Sequence, residues 1–144
     1  MDTIPLADLT LEDLLPHRGD MMLVHEILEV DKIHALVICR TAKTWPMADV
    51  RGVPALILVE LAAQTAGVCN GWDRIQTKGR DSEATGWLVG IKKAEFFIDY
   101  LPFGSRVLSR AEHIHNFENL REVSCKQYLD NKLIGTTTLQ LFQA

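Results

Sequence analysis

The chain has 144 residues and a formal net charge of −4, which suits one domain with a substantial core and argues against general nucleic-acid binding, since its Lys and Arg are scattered. The opening MDTIPLADLT has neither the basic start nor the long apolar stretch of a signal peptide. Cys39, Cys69 and Cys125 lie far apart in apolar patterns, so reduced core cysteines in a cytoplasmic protein are expected, with no disulfide frame and no metal site.

In chain order, TLEDLL (10–15) predicts a short helix with Thr10 as its cap and Asp13 as the capping-box acid, ended by Pro16. His17-Arg18-Gly19-Asp20 follows as a turn. Residues 21–31 and 33–42 are rich in Val, Ile and Leu and read as two strands. KTWPMADVRG (43–52) is a loop. The stretch VPALILVELAAQTAGVCNGW (53–72) is apolar nearly all round from Ala55 to Cys69, which predicts a helix buried on every side. Pro54 suits its first position and Gly71 its end. It is too short for a membrane span and carries an acid.

Residues 73–84 are polar and read as a surface loop. Strands are expected over 85–98, 106–116, 120–129 and 133–142, with turns around Pro102 and Gly104 and at Asp130-Asn131. A single domain over 1–144 of class α+β results: an antiparallel sheet wrapped around one long helix, with the remaining helix face left for a second subunit.

Two polar residues interrupt the helix. Glu60 and Gln64 are one turn apart and share a face. A buried carboxylate must be hydrogen-bonded, paired or protonated. Burial favours the protonated form, which suits a general acid, although a carboxylate capped by amides for structure alone would give the same pattern. His113 and His115 stand at alternate strand positions on one face, a pair that can bind metal only with a third ligand, and none is in view. Trp45, Trp72 and Trp87 are core or interface aromatics, with the lining of an acyl tunnel as the alternative.

Four stretches, LLPHRGDMMLVHEILEVD (14–31), PALILVELAAQTAG (54–67), GWLVGIKKAEFF (86–97) and LPFGSRV (101–107), resemble, in the same order, the hot-dog-fold 3-hydroxyacyl-acyl-carrier-protein dehydratases. The helix with GVCNGW (67–72), joined to a loop without His, is most similar to the dehydratase-like subunit of aryl-polyene-type biosynthesis clusters. The resemblance implies a hot-dog fold and loss of water from a 3-hydroxyacyl thioester, without a cofactor. It also implies an acyl carrier protein as partner and a dimer in which each site draws its His from one chain and its acid from the other. Carried over by residue, Glu60 matches the catalytic acid and Gln64 the Gln one turn later. Gly52 and Ala55 are candidate amide donors to the thioester carbonyl, Gly67 would allow close approach, and Arg51 would meet the phosphopantetheine phosphate.

One departure is decisive. The position of the family's loop His is Pro46, and 43–52 contains no His. His17 matches the His of the family's Pro-His-Arg turn and is expected to be structural, His25 replaces a strand Asp, and neither they nor His34, His113 and His115 have a sequence reason to replace the base. Asp49 is the substitute candidate within the loop. Three functions stay open: a 3-hydroxyacyl-carrier dehydratase or dehydratase subunit in fatty-acid or polyene-type biosynthesis, acting as a homodimer or with a His-bearing hot-dog chain; a hot-dog thioesterase using Asp49 or Glu60; and a non-catalytic acyl-binding partner subunit. Glu60 and Gln64 inside an apolar helix favour the first.

Overall fold

A computed structural model describes residues 3–82 and 87–142. Helix α1 (Leu11–Leu14) is followed by strands β1 (Val24–Val30), β2 (His34–Arg40) and β3 (Val53–Pro54), then helix α2 (Ile57–Lys78). After it come β4 (Trp87–Phe96), β5 (Tyr100–Leu101), β6 (Arg106–Phe117), β7 (Leu120–Leu129) and β8 (Lys132–Phe142). Six strands form one antiparallel sheet in the order β1-β2-β6-β7-β8-β4, while β3 and β5 pair as a small clasp at the start of α2. The architecture is α+β, an antiparallel sheet packed around one long helix.

Local chemistry accounts for the boundaries. Thr10 Oγ1 accepts from Asp13 N at 3.2 Å and Asp13 Oδ2 from Thr10 N at 2.8 Å, a complete capping box on α1. Asp130 and Asn131, with φ of 50° and 64°, form the two-residue turn between β7 and β8.

α2 differs from expectation at both ends. Pro54 belongs to the β3 clasp, opposite Tyr100, and the helix starts at Ile57. Gly71 does not end it. α2 runs on to Lys78 and stops at Gly79, whose φ of 94° breaks the helical path. The polar residues after 72 read as loop, yet they continue α2 to Lys78, and Arg74 is buried and donates to Asp13 O at 2.7 Å and to Ser82, tying the last turns to α1. Gly71 is glycine because α1 crosses there: a Cβ would lie 2.2 Å from Leu14 O.

The core lies between α2 and the sheet. Leu58, Leu61, Val37 and Val107 fill one part, and Ala62 and Ala66 sit against Ala111, Val123 and Cys125 in the other. Trp45 is buried and Trp72 partly buried against the first part, so both are core aromatics; the Trp87 side chain lies outside the described residues. All three cysteines are free and buried, and burial pushes each thiol up to about 12. One stripe of α2 is less covered: Val59, Glu60, Ala63, Gly67 and Asn70 are all only partly buried. The sheet therefore wraps most of the helix and leaves one face partly open. Among the described residues no helix is long and apolar enough to cross a membrane.

A bulge between His113 and His115 removes their common face. His113 pairs with Val123 and His115 with Glu122, the next residue back along β7. His113 is half-buried, its Nε2 has no hydrogen-bond partner, and burial, with Arg121 nearby, pushes it down to about 4. No cluster of three His, Cys, Asp or Glu among the described residues is suited to a metal.

Two outcomes are expected. Gly71→Ala forces Cβ into the Leu14 carbonyl and lowers stability by about 2–4 kcal/mol, measured as a fall in the urea midpoint. Because the folded pKa of His113 lies below its ordinary value of 6.5, the unfolded chain binds more protons between those limits, so stability falls as pH drops from 6.5 towards 4. After discounting for partial exposure, His113→Phe should remove about 1–2 kcal/mol of that acid loss, read by comparing urea midpoints at neutral pH and near the lower limit.

Candidate active site

The site is assembled around Gln64, which is fully buried on α2. Its Oε1 accepts from Leu23 N at 2.9 Å and Val24 N at 3.4 Å, and its Nε2 donates to Met21 O at 2.8 Å. These bonds fasten the segment entering β1 to the middle of the helix. The same Nε2 donates to Glu60 Oε1 at 3.0 Å, one turn back. Gln64 thus fixes both the carboxylate and the segment facing it.

The turn before that segment carries an imidazole to the same carboxylate. His17 Nε2 lies 3.2 Å from Glu60 Oε1, with the two side chains 28% and 37% exposed. Arg18 holds the turn by donating to Leu15 O and His17 O, each at 2.7 Å, and to Glu12 O at 3.2 Å. Gly19, at φ 58°, lets the chain reverse. Two sequence expectations change here. Glu60 is not sealed in the core, because its helix face is the partly open stripe. His17, expected to be structural, meets the acid within one chain. No local spacing links the two residues; the Gln64 bonds to Met21, Leu23 and Val24, and the packing of Leu14 and Leu15 on Gly71 and Gly67, bring their segments together.

The other candidates occupy the loop and the start of α2. Asp49 accepts from Arg51 N and Arg51 Nη2, both at 2.8 Å, and Arg51 lies over the Tyr100 ring at 4.5 Å. The Arg51 guanidinium holds the Asp49 carboxyl below the usual carboxylate range, which weakens it as a base. Gly52 N–H donates to Asp49 O at 3.1 Å and Ala55 N–H to Asp99 O at 2.9 Å. Both amides expected to face a ligand are therefore engaged with the chain itself. The amides of Leu56 and Ile57 have no backbone acceptor among the described residues, as the first N–H groups of a helix do not. Gly52, at φ 121°, is needed because a Cβ would lie 2.3 Å from Leu101 O. At Gly67 a Cβ would meet Leu15 Cδ2 at 2.7 Å, so the close approach there is made by this chain's own leucine.

The remaining imidazoles are elsewhere. His34 sits between Asp31 (2.8 Å) and Glu29 (3.3 Å), which raise its pKa against the lowering effect of burial. His25 and His115 are exposed strand residues.

Fold and site together define a hot-dog protein with one acid held at its helix and no loop histidine. The family model described as ApeP-like, ApeP dehydratase, matches residues 9–144. The 3-hydroxyacyl-[acyl-carrier-protein] dehydratase FabZ of Streptococcus uberis is 27% identical over 134 residues, 90% of this chain and 91% of that protein. The corresponding protein of Streptococcus sanguinis is 25% identical over 135 residues, 90% and 92% of the two chains. Among solved structures, the dehydratase heterocomplex ApeI:P from Xenorhabdus doucetiae superposes with a TM-score of 0.84 at 22% identity, covering 94% of this chain and 91% of that one. A hypothetical thioesterase with coenzyme A from Streptococcus pneumoniae superposes at 0.62 with 12% identity, covering 81% and 83%. The chain belongs to the ApeP-like dehydratase family. It is a dehydratase or dehydratase subunit of fatty-acid or polyene-type biosynthesis.

Proposed function

We propose that this chain supplies the acid half of a site that dehydrates 3-hydroxyacyl thioesters carried on an acyl carrier protein. The other half, an imidazole, comes from a second hot-dog chain. The substrate class is suggested by the streptococcal relatives, and a mixed dimer by the heterocomplex from Xenorhabdus doucetiae. In the reaction a base removes the C2 proton and the electrons of that bond form the C2=C3 double bond. The C3–O bond breaks as Glu60 protonates the leaving hydroxyl, which departs as water. The Leu56 and Ile57 amides would polarise the thioester carbonyl and Arg51 would meet the carrier's phosphate. Glu60 and Gln64 keep the roles that the resemblance implied, whereas Gly52 and Ala55 serve the fold of the entrance.

What carries this reading is the state of the acid. Glu60 Oε1 receives Gln64 Nε2 and lies against His17 Nε2, and the carboxylate stands on the partly open stripe of α2. His17 does not make a good C2 base: Nε2 faces Glu60 and Nδ1 is buried without a partner. Asp49 is tied to Arg51, and Pro46 has no titratable group. A missing base rather than a missing acid makes the site half complete. The edge strand β4, with Ile91 exposed at its middle, Phe96 at its end and Phe97 just beyond, offers a surface for a neighbouring hot-dog chain.

The test is dehydration of 3-hydroxyacyl-carrier thioesters by the purified chain, alone and mixed with a His-bearing hot-dog homologue encoded beside it. The chain alone should run near background and the mixture should turn over. Glu60→Gln should lower the mixed activity on the order of a hundredfold or more. Robust activity of the chain alone, unchanged by Asp49→Asn, would overturn the requirement for a partner.

A further inference from the structure

Resting on the assignment of Glu60 as the acid, we infer that His17 is a positioning residue that confines the acid proton to Glu60 Oε2. Two nitrogens meet one carboxylate oxygen: Gln64 Nε2 donates to Oε1 at 3.0 Å, and His17 Nε2 lies 3.2 Å from the same atom. The state of the imidazole follows from its other side. Nδ1 is buried with no hydrogen-bond partner. A bare buried N–H is more costly than a bare acceptor, so the neutral ring keeps its proton on Nε2 and leaves Nδ1 as a lone pair.

Nε2–H therefore points its proton at Oε1. An oxygen facing two N–H groups accepts and cannot also carry a proton between them. When Glu60 is protonated, the proton resides on Oε2, which neither group engages. After the proton moves to the leaving hydroxyl, the new negative charge is met at Oε1 by two N–H groups already in place, with little reorganisation. Arg18 locks the turn through three carbonyls, so the imidazole does not have to be recruited when substrate arrives. In this role His17 touches neither C2 nor the hydroxyl.

The test has a spectroscopic arm and a kinetic arm. Long-range ¹H–¹⁵N correlation spectra of the wild-type protein at neutral pH, with the signal assigned by its loss in His17→Gln, should show the Nε2–H tautomer. The Nδ1–H tautomer would overturn the assignment. In the mixed complex, His17→Leu should lower kcat about tenfold or more with KM little changed, while His17→Gln, which retains an N–H donor near the Nε2 position, should recover most of the loss. Full kcat in His17→Leu would overturn the role. So would equal loss in His17→Gln and His17→Leu, because that is the signature of a proton-accepting base. If the wild-type mixture dehydrates nothing, the proposed function fails, while the tautomer of the wild-type protein still decides the assignment of His17. Should His17→Leu fail to fold, the tautomer and the His17→Gln kinetics decide in the same way.

Discussion

One buried amide organises this molecule. Gln64 makes four hydrogen bonds from a position with no solvent exposure: two accepted from the backbone entering β1, one donated back to that segment, and one donated to Glu60. Each buried partner left unpaired would cost about 1–3 kcal/mol, so the position tolerates few alternatives. The geometry of the acid is thus coupled to the stability of the helix–sheet junction. Three of these bonds set the direction of the chain before β1, and with it the turn that carries His17. The fold and the candidate site share one constraint.

The sequence revealed most of the frame. Strand periodicity, the Thr10–Asp13 capping box and the Asp130-Asn131 turn are local signals, and the structure follows them. What it did not reveal depends on contacts between distant segments. Gly71 looks like a helix stop, yet α1 presses its backbone there and the helix continues. Arg74 looks like a loop cation, yet it is buried under α1 and hydrogen-bonded to carbonyls. The same limit applies at the site. Glu60 and Gln64 are visible as polar breaks in an apolar run, but the proximity of His17 arises only once α1 and the segment entering β1 are both packed on α2. The Gly52 and Ala55 amides were reasonable donors until their backbone acceptors, Asp49 O and Asp99 O, were placed.

The chemistry follows from what the carboxylate already has and what it lacks. It has two nitrogen neighbours on one oxygen and a partly open helix face. It lacks a base with an available lone pair, since the His17 imidazole beside it is turned towards the acid and the loop carboxylate is held by an arginine. In the proposed reaction a general acid without a base has little use alone, and a hot-dog neighbour across the partly open stripe would supply one.

The acid role of Glu60 can be isolated by changing the leaving group. Fluoride departs without needing a proton, so a 3-fluoroacyl thioester needs the base but not the acid. In the mixed complex, Glu60→Gln should lose 3-hydroxyacyl dehydration on the order of a hundredfold while fluoride release stays within roughly threefold of wild type. Equal loss of both reactions would contradict the account and make Glu60 a base or a purely structural carboxylate.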